Sequence, residues 1–407
     1  SLVQLENRVE VDTKPYVKDT VKYAMMPASA IKRHIFVEGR ENRLKAEQSG
    51  LGIDKAEYRD SALGIVCSGV VYQYVKEALP NASIYKVGMV YPLNIESIRE
   101  FAGKVNELMV IEELEPFFEN QLKANGIKCH GKDKISLQGE LNVNRIRSAV
   151  YGFVEQTSIS GLPVRPPMLC AGCPHRSVFF VLNKLKCVVN GDIGCYTLGA
   201  QPPLKAIDTV VCMGASVSMA HGYEKALGAE NTKNVVAVIG DSTFIHSGIT
   251  GLVNAVYNKS QITLIILDNR TTGMTGHQDN PATGKTLSGE STYELDFVKL
   301  CKALNVPSVQ QVGAHDLIAL EKVIKEEMAK DCVSVIVVKE PCVLLDKAAK
   351  PYCKIEGCVG CKQCMKLGCP AISLDKDGHA VIDRTVCVGC NVCTKICKVG
   401  AIKEAQR

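Results

Sequence analysis

Tryptophan is absent from this 407-residue chain, and aromatic residues together make up only 5% of it. The basic residues near its C-terminal end lack interleaved aromatic platforms, which argues against nucleic acid as a partner. Long apolar runs are missing too: no stretch approaches the roughly 18 residues that span a bilayer. The opening SLVQLENRVEVDTK has the character of neither a signal peptide nor a transit peptide, so a cytoplasmic location away from membranes is expected. Net charge is a modest +5. The length predicts two to four domains with ample core.

Cysteine, by contrast, is abundant, at 19 residues. A secreted disulfide scaffold is the wrong class for a long chain with a full apolar core pattern, and many of these cysteines stand in CxxC groups, which points to metal binding. The last sixty residues carry two runs: Cys358, Cys361, Cys364 and Cys369, then Cys387, Cys390, Cys393 and Cys397. Each run adjoins a short hairpin-like segment such as AISLDKDGHAVI. In the bacterial ferredoxin arrangement three thiolates at x2 spacing surround one cuboidal cluster and the fourth serves the other cluster. That rule groups Cys358, Cys361 and Cys364 with Cys397, and Cys387, Cys390 and Cys393 with Cys369. Zinc ribbons use separated CxxC pairs, not triplets. The first run has four residues before its last cysteine where three are usual, leaving room for a bulged turn, and Lys398 stands where a second proline is usual. Residues 346–407 hold eleven Lys or Arg against six Asp or Glu, an excess that offsets the cluster charge and suits an acidic redox partner.

Residues 1–55 read as a connecting arm with one or two helices and a solvated basic face. From about 56 to 150, GIVCSG, VYQYVKEALP, SIYKVGMVYPL and VNELMVIEELEP alternate strand and helix, which implies a parallel sheet. Glu112, Glu113 and Glu115 are expected to be exposed or interface residues with no catalytic role, and Cys67 and Cys129 to be core or surface thiols. A proline-rich joint at 161–167 precedes a second α/β module over 165–345. There LKCVVN, TVVCM and VSVIVVK are read as strands, flanking a βαβ unit at 240–276.

In that unit two parallel strands end in Gly240-Asp241-Ser242 and Asp268-Asn269, so Asp241 and Asn269 lie side by side at the ligand-binding edge. Their oxygens suit Mg2+, which keeps phosphate oxygens in its shell. With 26 residues between Ser242 and Asn269, the pattern resembles the diphosphate-binding motif of thiamine diphosphate enzymes, with Ser242 in place of the last Gly. The resemblance implies metal binding by Asp241, Asn269 and the Thr271 carbonyl, and cofactor contacts from Gly240, Ser242, Gly273, Asp192 and Gly214.

Cys170-Ala171-Gly172-Cys173-Pro174-His175, then Gly191-Asp192-Ile193-Gly194-Cys195, the Met-Gly-Ala-Ser turn, and Gly-Met-Thr-Gly-His-Gln together resemble the thiamine domain of 2-oxoacid:ferredoxin oxidoreductases. By that resemblance Cys170, Cys173 and Cys195 hold a third [4Fe-4S] cluster whose fourth ligand comes from late in the domain. Cys342 fits best, because it follows the strand VSVIVVK; Cys301 and Cys332 are weaker candidates. His175 either faces cofactor and substrate, as a catalytic residue, or caps a helix.

Single-chain pyruvate:ferredoxin oxidoreductases place the ferredoxin module before the thiamine module. The order here, a transketolase-C-like parallel-sheet domain, a doubly wound thiamine domain and a C-terminal two-cluster α+β domain at 346–407, resembles the large subunits of indolepyruvate:ferredoxin oxidoreductases. The resemblance implies thiamine diphosphate, Mg2+, and two [4Fe-4S] clusters besides the third. It also implies oxidative decarboxylation of aryl 2-oxo acids with coenzyme A, a smaller β subunit, and ferredoxin as acceptor. Pyruvate or branched 2-oxo acids, or an electron-transfer subunit whose thiamine site has decayed at Ser242, are the alternatives. Family members carry a pyrimidine-binding domain, with its activating Glu, ahead of the arm. Together with a start at Ser1, this makes the chain read as the C-terminal part of a longer subunit, expected to bind clusters but to turn over poorly alone.

Overall fold

A computed structural model describes residues 5–152, 161–163, 166–346 and 351–405. The chain divides into two compact units, Ser1–Leu162 and Pro163–Arg407. Parts of two expected junctions, at 153–160 with 164–165 and at 347–350, lie outside the described residues. Among the described residues no helix is long and apolar enough to cross a membrane.

In the first unit, the helix Pro27–Glu47 buries none of its residues. The compact part is a four-stranded sheet of β1 (Lys55–Glu57), β2 (Asp60–Ser68), β3 (Ala82–Val87) and β4 (Glu107–Val110), in the order β1-β3-β2-β4. β2 is parallel to both β3 and β4, and β1 adds an antiparallel edge that the sequence pattern does not announce. Glu112 departs from expectation. It is buried, and its carboxylate accepts from the backbone N–H groups of Phe118 and Glu119 at 2.9 and 3.1 Å, capping the helix Phe117–Ala124. Burial pushes its pKa up, those N–H groups oppose the rise, and its role is structural.

The second unit is built on five strands, all parallel: β5 (Val188–Asn190), β6 (Val235–Gly240), β7 (Thr263–Asp268), β8 (Ser308–Val312) and β9 (Ser334–Lys339). Their order is β5-β6-β7-β9-β8. β6 and β7 are buried along their whole length, as strands covered by helices on both faces must be. The expected strand TVVCM is not one: only Thr209 makes a bridge, to Asn190, and Val211 is 66% exposed. β8 fills the sheet instead.

The cysteine-rich end forms two antiparallel pairs: β10 (Tyr352–Ile355) with β13 (Ile402–Ala405), and β11 (Ile372–Leu374) with β12 (Ala380–Ile382). It shares one core with the five-stranded module, in which Leu169, Phe179 and Leu182 join Leu367, Ile372 and Ile402. The extra residue of the first cysteine run is taken up by a 3-10 turn, Gln363–Leu367, ended by Gly368 in the left-handed region at φ 62°. The second run instead forms a short α-helix, Val392–Ile396.

Candidate functional site

Pairing of Gly240 with Leu267 brings the C-terminal ends of β6 and β7 level. Asp241 opens a helical run that passes through a π-turn at Phe244–Gly248 before continuing to Tyr257; such turns recur at functional sites. After β7, Arg270 takes the left-handed conformation at φ 62°, an uncommon choice for a side chain of that size. The turn folds the Thr271 carbonyl back towards the Asn269 side chain.

One terminal atom of the Asn269 amide lies 3.3 Å from Asp241 Oδ1 and 2.8 Å from the Thr271 carbonyl oxygen. The other, Nδ2, lies 3.4 Å from His175 Nε2. His175 is buried, and burial lowers its pKa to about 4, so at neutral pH the ring is uncharged and Nε2 can accept from that Nδ2–H. With that hydrogen bond made, the amide oxygen faces two other acceptors with no donor between them. Three converging oxygens on buried residues fit a hard cation. A chain without metal is satisfied by the opposite amide orientation, in which the NH2 donates to both oxygens. Burial lifts the Asp241 pKa to about 7, with the Asp268 charge adding to the effect; a cation at its oxygen reverses that pull. The other oxygen, Oδ2, accepts from Asn280 Nδ2 at 3.5 Å, a neighbour no sequence signal marks.

His175 thus stands behind the acceptor triangle, where it supports a positioning role for Asn269 over direct catalysis. Asp192 likewise acts through the backbone. Its carboxylate accepts from the N–H groups of Ile193, Gly214 and Ser216 at 2.9, 2.9 and 3.1 Å, fixing the turn that starts the helix Ala215–Leu227. Gly214 is needed there, since a Cβ would stand 2.3 Å from Ser247 Oγ. At Gly240 a Cβ would meet the Tyr196 ring at 2.6 Å. Ser242 donates its backbone N–H to Asp241 Oδ1 at 2.7 Å, a contact that does not need the missing glycine. A Cβ on Gly273 would meet Cys195 Sγ at 3.5 Å, which puts this loop beside the cysteines.

Those cysteines converge. Cys173 senses the charges of Cys170 and Cys342, and Cys195 senses those of Cys342 and Cys170. Cys342 is placed near the group by its backbone N–H, which donates at 2.9 Å to the carbonyl of Asn269, a residue of the acceptor triangle. Cys301 is buried apart, and Cys332 faces Lys330, Glu327 and Asp331. Burial pushes the Cys173 thiol up to about 12; a bound metal ion overrides such a shift by deprotonating its thiol ligand.

The C-terminal cysteines gather in the crossed sets. Cys364 senses Cys358, Cys361 and Cys397. Cys369, Cys387, Cys390 and Cys393 line one cavity. Cys353, which sequence spacing gave no reason to single out, lines the same cavity; its N–H donates to Cys387 Sγ at 3.3 Å and its thiol to Asn391 Oδ1 at 3.3 Å. The thiol group of Cys170 and Cys173 meets that of Cys390 at a glycine. A Cβ on Gly172, at φ +71°, would stand 2.2 Å from Val388 Cγ2 and 3.7 Å from Cys390 Cβ. Gly172→Ala is expected to destabilise the fold by about 1–3 kcal/mol through overpacking, read as a lowered urea midpoint.

Residues 192–338 match the family "thiamine pyrophosphate enzyme, C-terminal TPP binding domain", and residues 60–141 match the "indolepyruvate oxidoreductase domain" family. Fold, acceptor triangle and match agree on a thiamine diphosphate-binding domain. The "Indolepyruvate oxidoreductase subunit IorA" of Pyrococcus horikoshii is 34% identical over 404 residues, covering 87% of this chain and 62% of that protein. The "2-oxoglutarate synthase subunit KorB" of Archaeoglobus fulgidus is 29% identical over 192 residues, 44% of this chain and 70% of that protein. A solved 2-oxoglutarate:ferredoxin oxidoreductase from Magnetococcus marinus aligns at a TM-score of 0.38 with 16% identity, over 46% of this chain and 70% of that one. The chain is thus similar to indolepyruvate oxidoreductase subunits over most of its own length, and its residues 192–338 match the thiamine pyrophosphate-binding domain family. It spans about 62% of the length of the IorA relative from Pyrococcus horikoshii.

Proposed function

We propose that this chain is the thiamine- and cluster-bearing part of a subunit that oxidatively decarboxylates aryl 2-oxo acids, such as indolepyruvate and phenylpyruvate. The products are the aryl-acetyl-CoA, CO2, one proton and two electrons, and ferredoxin takes the electrons. The observation that carries this reading is the hydrogen bond from the Cys342 N–H to the Asn269 carbonyl. It continues the β7–β9 ladder past its last pair and so sets a cysteine of the adjoining thiol group beside a residue proposed to hold the metal, where a cluster would lie next to the cofactor.

Thiamine diphosphate supplies the electron sink for decarboxylation, and iron–sulfur clusters accept electrons singly. The chain's own residues supply the rest. Asp241, Asn269 and the Thr271 carbonyl hold Mg2+, His175 sets the Asn269 amide, and Asp192 fixes the turn before the helix Ala215–Leu227. Cys170, Cys173, Cys195 and Cys342 hold the cluster beside this site, and the two C-terminal sets hold the two further clusters. A smaller β subunit and coenzyme A complete the reaction, and the protein works in the cytoplasm. The aryl preference follows the indolepyruvate for which the IorA relatives are named; 2-oxoglutarate, for which the KorB relative is named, and pyruvate share the same chemistry.

Electrons leave near Cys364 and Cys397, where exposed Lys366, Lys395 and Lys398 line one groove. Exposed basic residues steer an acidic partner and are screened by salt. Replacing all three by Glu is expected to slow ferredoxin reduction by about 10-fold or more at low salt while leaving reduction of a small cationic viologen intact. Equal loss with both acceptors would place the exit elsewhere.

The reaction is tested by anaerobic incubation of the full-length subunit, its partner subunit, indolepyruvate and coenzyme A. The expected result is acyl-CoA and CO2 in equal amounts, with two viologens reduced per CO2. An aldehyde product with no viologen reduction would contradict it.

A further inference from the structure

Arg176 is 4% exposed and lies between the thiol group beside the thiamine site and the C-terminal set Cys369, Cys387, Cys390 and Cys393. Nη1 donates to the Leu367 and Gly368 carbonyls at 2.7 and 2.5 Å, and Nη2 to those of Leu169 and Cys170, the latter at 3.0 Å. The carbonyls of Leu169 and Gly368 immediately precede Cys170 and Cys369, so one guanidinium grips the backbone beside a cysteine of each group. Its Nε–H has no partner among the described residues. Arg176 and Cys173 also line the cavity formed by Cys369, Cys387, Cys390 and Cys393.

Four backbone carbonyls solvate this cation, but none carries a charge, and no carboxylate pairs with it among the described residues. A buried, unpaired cation is costly unless negative charge arrives to meet it. The thiolates that face it most strongly are Cys369, Cys173, Cys390 and Cys170, drawn from both groups. A four-thiolate cubane is anionic, and reduction adds a further negative charge.

Resting on the cluster assignment proposed above, we infer that Arg176 is a charged clamp between two iron–sulfur sites. It holds their ligand loops in register and aims its Nε–H into the Cys369/Cys387/Cys390/Cys393 cavity, where it raises the reduction potential of that cluster. Hydrogen bonds to cluster sulfur and local charge are both determinants of such potentials. The effect favours electron flow out of the thiamine side, because the receiving cluster holds its electron more tightly. Arg176 touches no reacting carbon; it is a positioning and tuning residue.

The test uses the full-length subunit purified anaerobically, as wild type, R176K and R176M. Iron is assayed first, then the midpoint potentials are titrated by electron paramagnetic resonance. R176M is expected to make one cluster harder to reduce by at least tenfold in its reduced-to-oxidised ratio, which is about 59 mV for one electron. R176K, which keeps the charge, stays nearer wild type. Unchanged potentials in R176M at full iron content would overturn the inference while leaving the cluster assignment standing. Absence of iron from the wild type itself would take down the assignment, and the inference with it. Should R176M fail to fold, 15N-arginine labelling decides. A 15N coupling to a reduced cluster in the wild type that is lost in R176K supports the clamp, and no such coupling overturns it.

Discussion

Asp241→Asn is expected to weaken Mg2+-dependent binding of thiamine diphosphate by at least about 100-fold, since even residues behind a metal's ligands cost about 10–100-fold. Asp241 contributes the only carboxylate to the acceptor triangle, beside an amide and a carbonyl of Asn269 and Thr271. Without it the site is three neutral oxygens, too weak to hold a strongly hydrated cation. The fold itself is spared, because a buried carboxylate raised by desolvation is a cost in the metal-free chain that Asn removes. Thermal scans separate the two effects: the variant melts at least as high as wild type without ligands and gains little from Mg2+ and cofactor. Asn280→Ala, which removes the hydrogen bond to Asp241 Oδ2 together with the one that Asn280 Oδ1 accepts from the Ala282 N–H, falls between, at about 10-fold. Loss of folding in D241N would assign the carboxylate a structural role instead.

Cys342→Ser is expected to remove one cluster, about 4 of about 12 iron atoms per subunit. Reduction of ferredoxin by 2-oxo acid should then fall by on the order of 100-fold, because electrons lose the site adjoining the cofactor. The two C-terminal clusters remain and still titrate. Cys301→Ser and Cys332→Ser serve as comparisons; both thiols sit away from the group and should leave iron unchanged. An unaltered iron count in C342S would show that the fourth ligand lies elsewhere or that no third cluster forms.

What the sequence made legible depended on how local each signal is. The crossed grouping proposed for the C-terminal cysteines follows from CxxCxxC spacing and the bacterial ferredoxin arrangement, whereas Cys353, which lines the same cavity as Cys387 and Cys393, belongs to neither run. Cys342 was reachable because β9 lies next to β7, so a residue just past its end returns to the ligand edge. β8 was missed because SVQQV is an edge strand with exposed glutamines, whereas TVVCM is apolar yet exposed from Val211 onward. Apolarity misled where a turn carries apolar residues to the surface of the unit. Glu112 was assigned to the surface by residue type, which cannot reveal that two backbone N–H groups wait for its carboxylate. Arg176 was invisible for a different reason: the two partners that make it a bridge, the Leu367 and Gly368 carbonyls, lie about 190 residues further on. His175 was singled out for its chemistry, but only the geometry of the Asn269 amide supplies it with a role.

The central claim is that a metal-anchored thiamine site passes electrons from an aryl 2-oxo acid into the adjoining clusters. It is tested most directly by coenzyme-A-dependent viologen reduction, with the full-length subunit and its partner under strict anaerobiosis, comparing indolepyruvate, phenylpyruvate and pyruvate. Turnover is expected to be faster with both aryl acids than with pyruvate. Preference for pyruvate would keep the chemistry and discard the aryl assignment, and no reduction with any of the three acids would contradict the account.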